Sequence, residues 1–277
     1  MPDFTIKTYQ RLLAQLIESG YTFQTFTGFL ETPAARAVIL RHDVDARKEN
    51  SLHFAEIQHG LGIRGSFYFR VVPQSYDEEV IKKIAGMGHE VGYHYETMDT
   101  VSSKSQIPSR NSGTKYQGPN ATGIDKSEKL IDMAYEEFCR NLEMFRKITP
   151  VTTICMHGSP RSKYDNKDIW KKYDYKKLGL IGEPYYDIDF NKVAYLTDTG
   201  RRWNGDKVSV RDKVLSPFNF NFRSTSDIIK NISLLPDKVM FTFHPQRWHT
   251  DMVLWTKELI LQNAKNQVKY LLMKIGK

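Results

Sequence analysis

Asp43 and Asp45 lie in the string Arg41-His42-Asp43-Val44-Asp45, directly behind the apolar run Ala37-Val38-Ile39-Leu40. A short aliphatic, β-branched run reads as a buried strand. Along an extended backbone alternate side chains point the same way, so the two carboxylates share one face roughly 6.6 Å apart. One of such a pair could hold a metal ion while the other moves a proton. Two acids at a buried strand tip are otherwise unfavourable unless something positive sits between them. Other residues able to do chemistry also follow apolar runs: His94 with Glu96, His157, Asp187 with Asp189, Asp198, and His244. Residues of this kind at the ends of five or six strands would all face one way if those strands were parallel.

The elements that must position them recur regularly. Strand-like runs occupy 37–40, 66–71, 90–93, 152–156, 178–181, 193–196 and 239–243, and helical patterns occupy 49–61, 78–87, 126–146, 226–234 and 252–275. Alternating strands and helices predict an α/β fold with a parallel sheet, and about seven strands are enough to curl towards a barrel. Tyr9, Leu12, Leu13, Leu16 and Ile17 recur at helical spacing before Gly20, which predicts an amphipathic helix within an amino-terminal cover over 1–35. The last helix carries Trp255, Leu259, Val268, Leu271 and Leu272 on its apolar side. No repeat or low-complexity linker divides the chain, so 1–277 reads as one domain. Residues 100–125 are rich in Ser, Gly, Asn and Pro, and read as a long loop placed to act as a lid or as a plain insertion.

The composition excludes several classes. With 277 residues, 40% hydrophobic and 26% charged, the chain can bury a substantial core. It contains no run of about 18 apolar residues that would span a membrane. The first residues show no basic-then-apolar leader pattern, so a cytoplasmic location is expected. Cys139 and Cys155 are two unpatterned cysteines, which points to reduced thiols. The net charge of +8 is spread, with no basic stripe interleaved with aromatics. That argues against a nucleic-acid partner and leaves room for an anionic one such as a nucleotide-linked sugar.

Three strings carry a family resemblance. Gly88-His89-Glu90-Val91-Gly92-Tyr93-His94 resembles the second motif of polysaccharide deacetylases, the NodB-homology group of carbohydrate esterase family 4. Arg41-His42-Asp43-Val44-Asp45 is similar to the first motif, and Phe241-Thr242-Phe243-His244 to the last. The resemblance spans about 37–248. It implies a single distorted (β/α) barrel and metal-assisted removal of an N- or O-linked acetyl group from a sugar. It further implies Asp43 as general base, Asp45 and His94 as ligands of a divalent metal such as zinc, and His244 as general acid.

One position departs from the family pattern: Met98 stands where a second ligand histidine is expected, four residues after His94. Glu96 and His157 are the substitutes. Met156-His157-Gly158-Ser159-Pro160 occupies the place of a motif that carries an arginine near the base. His157 could orient Asp43 in its stead or complete the metal shell, and imidazole chemistry favours the shell. His42 alternates away from the acids, and His89 belongs to the scaffold. Asp187, Asp189 and Asp198 could orient the catalytic histidine or serve as turn residues. Trp203 and Trp248, beside Arg202 and Arg247, are candidates to stack on a sugar ring and hold a phosphate or carboxylate. The expected substrate is an acetylated sugar or a nucleotide- or lipid-linked glycan precursor. The alternative, favoured by Met98, is a non-catalytic sugar-binding relative with a degenerate metal site.

Overall fold

The computed structural model describes residues 2–105, 126–158, 162–203 and 214–275. Helix α1 (Ile6–Glu18) buries the predicted stripe of Tyr9, Leu12, Leu13 and Leu16, and the Thr5 side chain caps it by accepting the Thr8 N–H at 3.2 Å. Gly20 then takes φ 78°, the left-handed conformation that ends a helix at little steric expense. Strand β1 (Thr22–Gln24) and helix α2 (Phe26–Glu31) follow. The amino-terminal segment is therefore more than a helical cover, because β1 pairs parallel with 37–39. Three residues are too few for alternation to reveal a strand.

The chain then runs β2 (Ala37–Val44), α3 (Lys48–Gly60), β3 (Ser66–Phe69), α4 (Glu78–Gly86), β4 (Glu90–Tyr95), α5 (Thr97–Ser105), α6 (Lys126–Arg146), β5 (Ile154–Met156), α7 (Pro184–Asp187), β6 (Ala194–Thr197), α8 (Thr225–Lys230), β7 (Lys238–Phe243) and α9 (Met252–Ile275). These strands form one parallel sheet in the order β5-β4-β3-β2-β7-β6, with β1 added to β2. Two predicted segments come out differently. Residues 178–181 form no strand: a 3-10 turn over Tyr175–Leu178 ends at Gly179 with φ 72°, and only a single parallel bridge, Thr153 to Gly182, follows. Residues 100–105 belong to α5 rather than to a loop, and the rest of the expected lid, 106–125, lies outside the described residues.

The sheet curls into a half-barrel, and one glycine shows how. The Tyr68 hydroxyl of β3 meets the Thr153 hydroxyl at 2.9 Å, passing over β4. That ring lies where a side chain at Gly92 would be, so a Cβ there would overlap Tyr68 and sit 2.8 Å from the Thr153 carbonyl oxygen. On the outer face Val38, Leu40, Phe67, Phe69, Val91, Tyr93, Phe241 and Phe243 join the main core under the helices. Ala37, Ile39, Tyr68, Cys155 and Met240 face inward with Phe26 and Phe29. Helix α9 contributes in an unexpected sense. It buries Glu258, Gln262 and Asn266 while Val268 stays exposed, and Asn266 donates to the Gly200 carbonyl at 2.9 Å. No helix among the described residues is long and apolar enough to cross a membrane.

Candidate metal and catalytic site

The parallel arrangement sends the carboxyl ends of β2, β4, β5 and β7 to one mouth of the half-barrel. At the end of β2 the Asp45 N–H reaches back to the Asp43 carbonyl at 3.0 Å, so the backbone turns where the sequence predicted continued extension. That turn brings both acids onto one imidazole. His94 Nε2 is 3.7 Å from Asp43 Oδ2 and 3.6 Å from Asp45 Oδ1. His157 Nε2 is 3.6 Å from Asp45 Oδ1, and His244 Nε2 is 3.9 Å from Asp45 Oδ2.

Asp45, His94 and His157 each offer a donor atom within 4.8 Å of the others. His94 Nδ1 lies 3.0 Å from the Cys155 carbonyl, which can only accept, so Nδ1 carries the proton and Nε2 presents its lone pair. Asp45 Oδ1 is buried without a hydrogen-bond partner. An orphaned carboxylate oxygen between two imidazoles is unfavourable in a finished structure and is what a cation ligand looks like when only the protein is present. One carboxylate and two imidazoles with open positions left over is a donor set suited to a catalytic divalent ion.

Glu96 and Met98, the two other positions that bear on the ligand set, have distinct surroundings. Glu96 accepts a bidentate pair from Arg70 at 3.0 and 2.7 Å, and sits 3.1 Å from His157 Nδ1 without hydrogen-bond alignment. Burial would raise Glu96, yet His157 and Arg70 hold it near 2. It therefore stands behind His157 as an orienting charge. Met98, at the position expected for a histidine, is 2% exposed and packs into the core from α5. An imidazole reaches Asp45 instead from His157, directly after β5.

Asp43 is held by Arg41, whose Nε and Nη2 donate at 2.8 and 2.7 Å. The same alternation that grouped the two acids puts Arg41 on their face, so a signal for this pair was present in the sequence. Arg41, rather than His157, thus fixes the orientation of Asp43. Behind it Glu183 accepts from the Met156 N–H at 3.0 Å and the Tyr185 N–H at 2.6 Å, and burial pushes it up to about 7.

His244 is fixed from the opposite side. Asp198 is completely buried and accepts four hydrogen bonds: from His244 Nδ1 (2.6 Å), the His244 N–H (3.0 Å), Arg247 (2.9 Å) and the Trp248 indole (2.7 Å). Burial would raise the Asp198 carboxyl, but His244 and Arg247 keep it below its ordinary value. Nδ1–H is thus committed to Asp198, and Nε2 faces the mouth. The other two acids the sequence offers for orienting this histidine are engaged elsewhere: Asp187 accepts from Tyr175 and from the Glu183 N–H, and Asp189 accepts within its own turn from Asn191.

The tryptophans do not form a sugar platform. Trp248 is 0% exposed and Trp203 4%, packed against Phe4, Phe241 and Phe243, with the Trp203 indole donating to Thr225. Both rings lie on the outer face of the sheet, a side that sequence adjacency to arginine does not report. Arg202 is half-buried beside them. His42 bonds Tyr9, Gln58 and the Ser66 carbonyl, and His89 bonds Gly65 and Ala55, both in the scaffold.

Fold and site together define a parallel α/β half-barrel with a carboxylate–imidazole cluster at its strand tips. No family model and no curated protein matches the chain. Solved structures similar to it include members of carbohydrate esterase family 4. A pseudoenzyme of that family from Bacillus anthracis is 14% identical over 86% of this chain and 66% of its own, with a TM-score of 0.40. A mutant of that pseudoenzyme with restored enzymatic activity gives the same identity and TM-score over 68% of its length. A family 4 carbohydrate esterase from Bacillus anthracis is 10% identical over 97% of this chain and 91% of its own, at a TM-score of 0.37. Similarity this shallow leaves the functional reading to the residues themselves.

Proposed function

We propose that the chain is a metal-dependent hydrolase that removes an acetyl group from a sugar or glycan precursor. The observation that carries the reading is the orphaned Asp45 Oδ1 between His94 and His157, flanked by two further groups each locked by its own partner. Asp45, His94 and His157 would hold the divalent ion, zinc being the metal that best suits this donor set. When bound, such an ion polarises an acyl carbonyl and lowers the pKa of water from about 15.7 towards about 7.

The protein's own residues supply the proton transfers. Asp43 has both oxygens in the Arg41 fork, which fixes its orientation, and takes a proton from the attacking water. His244 has Nδ1–H held by the buried Asp198 carboxylate, which stabilises the imidazolium, so that with a second proton on Nε2 the ring delivers that proton to the leaving nitrogen or oxygen and returns to neutral imidazole. The sugar-binding alternative rests on Met98, but His157 provides a third donor where Met98 does not, and the enzyme reading is the better supported.

The test is acetate release from N-acetylated sugars by zinc-loaded protein. Asp43→Asn should lower turnover by about 10²–10⁴-fold, the usual contribution of a positioned base, with metal content unchanged. Zinc-loaded wild-type protein that releases no acetate from a panel of N- and O-acetylated sugars, while still binding them, would establish the non-catalytic alternative.

A further inference from the structure

Beside the candidate metal ligands lies a cleft of about 310 Å³, walled by Arg47, Arg70, Arg247, Lys265, Asp45 and Glu258. Four cations face two acids, and most of these charges are already engaged. Arg70 is paired with Glu96, Arg247 with Asp198, and Asp45 with the imidazoles. Arg47 and Lys265 form no ion pair among the described residues. Glu258 is the remaining acid, and it also faces Arg201. The cleft keeps an excess of positive charge that the proposed hydrolysis does not use. Arg47 further stands at φ 53°, a left-handed conformation uncommon outside glycine, at the amino end of α3, which has no side-chain cap.

We infer that this cleft binds the phosphate of a phosphorylated acetamido sugar, an inference that rests on the deacetylase reading and names its substrate class. Asp45 belongs both to the cleft wall and to the ligand cluster. Gln246 donates to its Oδ2 at 3.1 Å, and Arg70 donates to its carbonyl at 3.3 Å. A cationic pocket and a reacting centre that share one residue suit a substrate whose anionic and reacting groups are close neighbours. In a 2-acetamido sugar the anomeric carbon is bonded to the carbon that carries the acetamide, so an anomeric phosphate is such a neighbour. A phosphate offers enough oxygens for the Arg47 fork and the Lys265 ammonium together. The volume stands at the lower end for ligand pockets, room for a phosphate and an adjoining ring but not for a whole nucleotide.

The test separates this site from the metal. Pyrophosphate is titrated calorimetrically into protein freed of metal by chelator, at low salt. One binding site is expected, weakened at least tenfold in the Arg47→Gln/Lys265→Gln double variant and retained in Arg47→Lys. With metal restored, N-acetylglucosamine 1-phosphate should bind at least tenfold tighter than N-acetylglucosamine, and the double variant should abolish the preference. Equal or tighter binding of UDP-N-acetylglucosamine assigns the phosphate to a nucleotide-linked sugar, and weaker binding to a free sugar phosphate. No pyrophosphate binding, or binding that the double variant leaves intact, overturns the cleft assignment. Failure of the deacetylase reading would show separately, as absent metal or absent acetate release.

Discussion

Two acids inside the same half-barrel, Glu90 near its base and Asp45 at its mouth, are treated in opposite ways. Glu90 accepts from the Thr27 N–H at 3.0 Å, the Thr27 hydroxyl at 2.9 Å, the Ser66 hydroxyl at 2.7 Å and the Thr153 hydroxyl. Those donors come from α2, β3 and the residue just before β5, so a fully satisfied carboxylate ties together the base of the half-barrel. Asp45 instead faces three imidazoles and keeps one buried oxygen with no partner. A saturated buried acid holds structure, whereas an unsaturated one surrounded by lone-pair donors awaits a ligand. Glu90 lies within the string that most resembles a deacetylase motif, yet its chemistry is that of a scaffold.

The comparison can be broken most sharply at Asp198. It is as saturated as Glu90, but it is coupled to the mouth through His244. Asp198→Asn should therefore lower acetate release by about 10²–10⁴-fold with metal binding kept, because His244 loses the partner that fixes its tautomer. A variant with wild-type turnover would put His244 outside the reaction. Glu90→Gln comes next. It places an amide nitrogen among donors, so unfolding free energy should drop by about 1–3 kcal/mol in denaturant melts. Zinc affinity should not change, and an affinity loss would erase the distinction between base and mouth. Gly92→Ala belongs to the same region. Its methyl must displace Tyr68 or the Thr153 backbone, with a loss on the order of 1–3 kcal/mol and again no direct effect on metal affinity.

A further effect concerns pH. Burial lowers His42 to about 3 and His89 to about 4, so both stay neutral in the folded chain across the range where unfolded histidines, near pH 6.5, take up protons. The unfolded state then binds more protons, and stability falls as pH falls. The slope approaches about 1.4 kcal/mol per pH unit for each histidine between their unfolded value and about pH 4.5. Glu183 makes an opposing contribution of similar size, because burial raises it to about 7 and the folded chain takes up its proton over the same window. Melts of metal-free protein at pH 7, 6 and 5 measure this slope. A flat profile, or one that His42→Gln leaves unchanged, would remove His42 from the account.

Much of the fold was legible because the strands are buried on both faces and so read as apolar runs, β2 and β7 most clearly. β1 escaped because it is three residues long, and 178–181 misled because an apolar run ended by glycine looks like a strand until the backbone is seen to turn. At the site, residue type and position after a strand brought Asp43, Asp45, His94, His157 and His244 onto one list, and the structure gathers those five at one mouth. The sequence did not show which partner locks each of them. Arg41 on Asp43 was legible from alternation, but Asp198 on His244 depends on β6 lying beside β7, a long-range pairing with no local signal. Trp203 and Trp248 were misplaced for the same reason, since no local pattern says which side of the sheet an aromatic covers.

Zinc titration into chelator-treated protein, followed by calorimetry or a competing chromophoric chelator, tests the central claim most directly. One equivalent should bind to the wild-type chain, binding should be lost in Asp45→Ala and His94→Ala, and His157→Ala should weaken it by about 10-fold or more. Absent binding, or a stoichiometric site indifferent to Asp45→Ala, would contradict a metal centre at the strand tips and the chemistry built on it.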